Sequence, residues 1–451
     1  MDNTIILGVI ISYISLLIVI GIYTSKKAKN STSFFLADRS LNKYFIGATI
    51  TATTVGGSAT IVAGGRIYAN GLPAIWYDLA GAFGLIVLGL FIANKVRKTG
   101  LFTLPDISGK IYDEKVRLAS SILIIITEIA WVSLLIQAAS LVLEVILPLE
   151  YEILLFAITA AFIIYTIIGG QYAVVYTDII QFLVMLIGVV FIATPILFLD
   201  AQSGISQLSM NTLSFPINSN IGILAAGSIF FMMFMPHIVG PDIYSKILSA
   251  RNEEEARKGT IISGVFKLIF AIAIALIAIS ALVLHPGLAN PYIAIPTAVV
   301  SLSPILAGFI LAAFLSVMIS SADSCLLSAG TIISVDLLKN KNINISRIGI
   351  LLIGIFALIL ALYLKDVLKT LELAYTIFTA GLTMPILFGF YKKKTHVTSK
   401  GALWSLILGG IISILWLNFM SDPYSEYAVL PGLFVSIIPL LIFRENKSIS
   451  E

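Results

Sequence analysis

Charge is scarce in this 451-residue chain: 12% of the residues are Asp, Glu, Lys or Arg, about half the roughly 25% of an ordinary soluble domain. Cysteine and histidine are scarcer still. The single cysteine, Cys325, has no partner for an intramolecular disulfide, and the three histidines, His237, His285 and His396, lie far apart. Disulfide redox chemistry and a Cys/His metal cluster are thereby excluded. None of these histidines stands in register with a nucleophile and a carboxylate, so the sequence does not read as an enzyme. A net charge of +4 and so apolar a composition also rule out a nucleic-acid partner. What is abundant is hydrocarbon: 59% of residues are hydrophobic and the mean hydropathy is +1.03. A core cannot absorb that excess, so most of the surface faces lipid.

A helix crossing a bilayer core of about 30 Å needs roughly 20 mostly apolar residues. Thirteen stretches qualify, near 4–24, 44–67, 73–94, 116–147, 151–169, 173–199, 221–246, 258–285, 302–336, 345–364, 368–391, 399–420 and 427–443. The expected fold class is an all-α polytopic membrane protein with about 13 transmembrane helices. The first stretch lacks the basic start and small-residue cleavage site of a secretory signal, so it reads as a retained helix.

Of the 28 basic residues, all but Arg66, Lys267, Lys365 and Lys369 fall in 26–43, 95–117, 246–258, 339–347, 392–400 and 444–447. Basic residues in short loops stay cytoplasmic. The pattern predicts a plasma-membrane protein with its N-terminus outside and its C-terminus inside. Lys267 is expected to snorkel to the cytoplasmic face. No loop is long enough for a separate soluble domain, and only 444–451 follow the last span, which weighs against a sensor with an appended signalling domain.

Transporters place ion and solute sites where helices unwind near the midplane, at matching positions of inverted repeats. Two spans are interrupted. The second contains Thr53-Thr54-Val55-Gly56-Gly57-Ser58, whose glycines weaken the helix and free carbonyls for a cation. The seventh contains Met235-Pro236-His237-Ile238-Val239-Gly240-Pro241-Asp242, where each proline removes a backbone donor. Their spacing predicts a five-plus-five inverted repeat with two broken helices: an extra helix and loop at 1–43, a first repeat at 44–199, an extracellular loop at 200–220, a second repeat at 221–391, and two helices with a short tail at 392–451. Glycines that merely let helices approach one another are the alternative reading for either break taken alone.

The ninth span carries Ser320-Ser321-Ala322-Asp323-Ser324, costly at membrane depth unless turned to a cavity or an ion. Ser320, Asp323 and Ser324 share one helix face, and hard cations take oxygen ligands. Serines bonding back to their own helix account for part of the cluster.

These motifs resemble the sodium:solute symporter family, built on the leucine-transporter fold. The resemblance rests on Ala52 to Ser58, Gly71-Leu72-Pro73-Ala74-Ile75-Trp76-Tyr77, Gly100 to Asp106, Gly169 to Asp178, Gly240 to Arg257 and Ser320 to Asp336, in the family's order along most of the chain. It implies one Na⁺ held by carbonyls of Ala52, Val55 and Val317 with hydroxyls of Ser320 and Ser321. A second Na⁺, present in some members, would map to Asp178 with Ser320, Asp323 and Ser324, although Asp178 could instead bridge helices near the inner surface. Solute positions implied by similarity are Thr54, Gly56, Ser58, Asp78, Trp131, Ser228 and Met232. Proline carriers have an acidic residue and a tryptophan where Thr54 and Ser58 stand, and sialic-acid carriers have an arginine at Trp131, so neither solute is favoured.

The expected activity is sodium-coupled symport of a small organic solute of the sugar, amino-acid, carboxylate or vitamin class, with Na⁺ and the lipid bilayer as partners and no organic cofactor. A proton-coupled variant carried by Asp178 and Asp323 is the alternative. An acidic Asp78 suggests a hydroxyl-rich or cationic solute, or else faces solvent in an outer vestibule near Arg66. Glu128, three residues before Trp131, is read either as a buried functional charge or as a bridge between helices.

Overall fold

Long apolar runs become helices here because polar caps satisfy the amides that each helix start leaves unpaired. Asn42, Asp113, Asn252, Asn342, Asp366 and Thr398 each accept a first-turn backbone N–H with their side chains. The computed structural model describes residues 3–26, 30–421 and 424–445. Lys27, Lys29 and Lys447, counted above among the loop charges, lie outside the described residues.

Along the chain run α1 (Asn3–Ser25), α2 (Lys43–Thr54), α3 (Ser58–Asn70), α4 (Leu72–Phe91), α5 (Glu114–Glu144), α6 (Tyr151–Ile205), α7 (Ile223–Leu248), α8 (Glu253–Leu284), α9 (Pro304–Leu337), α10 (Ile343–Leu364), α11 (Val367–Phe390), α12 (Ser399–Phe419) and α13 (Tyr424–Ile442). Eleven of these are each long and apolar enough to cross a membrane, and α2 with α3 makes one further span bent by 59°. At 55 residues, α6 would extend about 80 Å, more than twice the thickness of a bilayer core. Gly170 divides it, at φ 64° and ψ −179°. A Cβ there would also lie 2.6 Å from the Phe34 ring, so the position demands glycine. Two crossings within α6 bring the total among the described residues to the thirteen expected from the sequence. The chain is a multi-pass membrane protein.

Both expected breaks are present. Val55 leaves helical geometry at ψ 45° between α2 and α3. Within α7 the helix runs to Phe234, makes a short turn at Pro236–Val239, passes through extended Gly240 (ψ 129°) and resumes at Pro241. The missing N–H groups of the prolines supply the reason.

The loops rich in Lys and Arg gather at one end of the bundle, the basic face. Arg39 Nη2 donates to Gly100 O (2.6 Å), Arg97 Nε to Ala250 O (2.6 Å) and Thr103 Oγ1 to Asp336 (2.7 Å). Arg117 closes this cluster with bonds to Asp336 (2.8 Å) and Val335 O (3.2 Å) and an ion pair to Asp106 (3.4 Å). At the opposite end Tyr68 donates to His285 O and Trp76 to Pro216 O. Side chains such as Ile11, Phe191, Phe356 and Phe434 are exposed on the flanks of spans, as a lipid-facing surface requires.

Two basic residues are not where the charge pattern put them. Lys246, grouped with the loop charges, and Lys267, expected to snorkel, are both buried, 0% and 1% exposed. Each has found a carboxylate inside the bundle, and a paired ammonium no longer needs to reach water.

Candidate functional site

The break between α2 and α3 leaves backbone acceptors without their usual helical donors. The amides of Ala59 and Thr60 both turn to Gly56 O at 3.1 Å, so the Val55 carbonyl loses the Ala59 N–H four residues ahead. Side chains from elsewhere meet the exposed acceptors. The Ser321 hydroxyl on α9 is shared between Thr53 O (2.7 Å) and Val317 O (2.9 Å), Thr53 and Ser324 pair through their hydroxyls at 3.0 Å, and Lys267 Nζ donates to Thr54 O at 2.6 Å. Such substitution is what non-helical backbone at membrane depth needs.

Gly56 and Gly57 are required by this approach. A Cβ on Gly56 would come within 2.5 Å of Ser321 Oγ, and one on Gly57 within 2.7 Å of the Ala138 Cβ. Ala52, Val55, Val317, Ser320 and Ser321 are all buried around the contact. Ser321 faces the break, whereas Ser320 is turned to Asp178, to which it donates at 2.6 Å.

Asp178 is the centre of a second buried cluster. Besides Ser320 it accepts from Thr49, and Lys246 Nζ lies 3.1 Å from its other oxygen. Asp323 accepts from Thr166 at 2.7 Å through one oxygen and keeps the other, buried, without a partner among the described residues. Ser324 faces Thr53 rather than Asp178. The carboxylates are thus brought near the break, with an ammonium already against one of them.

A cavity of about 50 Å³ opens between the two broken helices and is walled by Thr54, Gly56, Ser58, Trp131 and Tyr375, with Asp242 and Cys325 also in its lining. It has room for water but not for a sugar or an amino acid. Trp131 packs against Tyr375 and Phe378 at ring separations of 5.3 and 4.9 Å, and Tyr375 meets the Ser58 hydroxyl at 3.2 Å. Of the solute positions expected from sequence, Thr54, Gly56, Ser58 and Trp131 line this space. Asp78, Ser228 and Met232 do not. Asp78 is buried against Lys267 at 2.5 Å, which overturns the solvent-facing vestibule reading. Ser228 donates to Glu426 O at 2.7 Å, and Met232 packs under Thr376 and Thr379.

His237, Asp242, Cys325 and Tyr375 also line the cavity and were not expected. The first two stand in the quoted motif of the broken seventh span, a signal that was available. Cys325 and Tyr375 sit in apolar stretches whose periodicity marks a buried face without naming what that face meets.

The sequence profile of the Sodium:solute symporter family matches residues 34–409. A sodium/glucose cotransporter of Vibrio parahaemolyticus is 27% identical, covering 94% of this chain and 88% of its own. A sodium/proline symporter of Staphylococcus saprophyticus is 25% identical, covering 95% and 90%. Among solved structures, a Na⁺-coupled sialic acid symporter in a substrate-bound outward-open state superposes with a TM-score of 0.79 at 19% identity over 99% of both chains. A nucleobase-cation-symport-1 family transporter in a closed conformation superposes at 0.59 and 13% identity. These likenesses establish the common fold.

Proposed function

Because the chain belongs to the sodium:solute symporter family, we propose that it couples movement of a small organic solute to Na⁺ by alternating access. The observation that carries this reading is the Ser321 hydroxyl lying across the break, shared by carbonyls of α2 and α9. An ion at that place would be held by the carbonyls of Ala52, Val55 and Val317 and the hydroxyls of Ser320 and Ser321. Every donor is an uncharged oxygen, which suits a monovalent cation. Ser320 would turn from Asp178 to complete the set. Separation of α9 from the broken helix dismantles the site, so bound Na⁺ favours the state in which the two are apposed, and coupling follows from that differential affinity.

A second Na⁺ among Asp178, Ser320, Asp323 and Ser324 would have to displace or share Asp178 with Lys246, while the unpartnered oxygen of Asp323 is open to it. The solute would enter between Trp131, Tyr375, Thr54, Gly56 and Ser58 after the helices part. Sugars and amino acids, carried by relatives, are the leading classes. Pairing with Lys267 neutralises Asp78 and removes the reason to expect a cation beside it. The orientation follows the basic loops, with the basic face cytoplasmic, the N-terminus outside and the C-terminus inside, in the plasma membrane.

A thermal-shift screen of amino acids, sugars, carboxylates and vitamins, with and without Na⁺, tests the reading, because coupled ligands stabilise one another. A solute that protects only with Na⁺, and that accumulates in proteoliposomes under a Na⁺ gradient, is the expected result. Accumulation indifferent to Na⁺ and driven by a proton gradient would overturn it in favour of proton coupling.

A further inference from the structure

Glu128 lies on α5, one turn from Trp131 and on the same face. It is 0% exposed, and neither carboxylate oxygen has a hydrogen-bond partner among the described residues. The Cys325 thiol and Ser328 hydroxyl of α9 are its polar neighbours, and the charged group that acts on it is another carboxylate, Asp242 of α7. Tyr375 of α11 and His237 of α7 line the same cavity as Asp242. No ion pair to Glu128 is formed among the described residues. An ionised carboxylate in such surroundings carries a desolvation cost that no cation offsets.

The position explains why an acid would stand there. Cys325 lines the central cavity, and Ser328, one turn along α9, lines a second small cavity with Gln171, Ser245, Thr331 and Thr103. Thr103 is bonded to Asp336 in the Arg117 cluster of the basic face. Glu128 thus lies beside two residues of α9 that line separate cavities, Cys325 the central one and Ser328 one that reaches Thr103. Parting of the helices on either side wets it.

We propose that Glu128 is a proton-binding site of the transport cycle: it holds H⁺ in the conformation described here and releases it to water when either cavity opens. The step is a plain ionisation, in which the O–H bond of the carboxylic acid breaks, its electron pair stays on the carboxylate, and the proton passes to cavity water. This role needs neither Asp178 nor Asp323, and it stands whether or not Na⁺ is the driving ion.

The test uses the full-length protein in lipid. Infrared difference spectra of wild type and Glu128→Gln, taken at neutral pH without Na⁺, read the protonation state directly. A protonated-carboxyl band present in wild type and absent from the variant is expected, and its absence from wild type overturns the proposal. Glu128→Gln mimics the protonated acid and should fold with undiminished thermal stability. A marked loss would show that the native group is ionised and partnered, which also overturns it. The cycle is read with NaCl as the probe, through Trp fluorescence titrations at several pH values. An ionised Glu128 beside the cavity attracts a cation, so the apparent Na⁺ affinity of wild type should rise severalfold with rising pH, by linkage between the two ligands. In Glu128→Gln it should be flat. Identical pH dependence in both proteins defeats the inference, whereas failure of Na⁺ to act at any pH would defeat the proposed sodium coupling instead.

Discussion

Lys267 and Asp78 face each other at 2.5 Å with both side chains 1% exposed, and the same ammonium donates to Thr54 O at the edge of the broken helix. One cation thereby serves a carboxylate on α4 and an unwound carbonyl at the end of α2. Removing it strands a buried negative charge. Lys267→Met should destabilise the protein by about 3–5 kcal/mol, whereas Lys267→Met with Asp78→Asn should recover most of that loss. Denaturation midpoints of the two single variants and the pair in detergent measure the coupling, and simple additivity would mean that the pair contributes nothing.

Ser321→Ala removes a hydroxyl that two carbonyls share. The cost to folding should be modest, about 1 kcal/mol, because Val317 O keeps its place in the α9 ladder. The cost to Na⁺ should be larger. We expect the concentration of Na⁺ that half-maximally raises the melting temperature to increase at least about tenfold, the equivalent of roughly 1.4 kcal/mol. An unchanged Na⁺ response would remove Ser321 from the ion site.

The two glycines of the break should not respond alike to alanine. At Gly56 the added methyl meets the Ser321 side chain, and at Gly57 it meets the Ala138 Cβ, which has no rotamer to change. Gly57→Ala forces α5 away from the break and should cost about 1–3 kcal/mol as overpacking. Gly56→Ala should instead displace the Ser321 hydroxyl, so its larger effect falls on Na⁺ response. Melting temperature and Na⁺ titration, measured on both variants, separate the two.

Arg117 holds Asp336, Asp106 and Val335 O together at the basic face. Arg117→Ala leaves Asp336 without its cation and should favour opening at that end. Cys325, buried and alone of its kind, lines the cavity, so its rate of alkylation by a soluble maleimide reports the opening. We expect at least severalfold faster labelling in the variant, and an equal rate would show that this cluster is no gate.

The number of crossings, both breaks and the serine-rich face of α9 were legible because each is a local signal: apolar length, a glycine pair, two prolines, or hydroxyls spaced by three and four. The two buried lysines were not. A rule built on loop charge counts a lysine by its distance from a span end, and it cannot see a carboxylate 68 or 189 residues away, the separations of Lys246 from Asp178 and of Lys267 from Asp78. Ser320 shows the same limit in miniature. Its helix face was apparent from spacing, but not that its hydroxyl turns to Asp178 rather than to the break.

The smallness of the central cavity bears on how any solute for this protein will be found. Room for a few waters means that a solute binds a conformation other than this one. Its measured affinity is then the intrinsic affinity reduced by the fraction of molecules already open. Weak apparent binding in a screen without Na⁺ would reflect the rarity of the receptive state, and a true solute could be passed over for want of its ion.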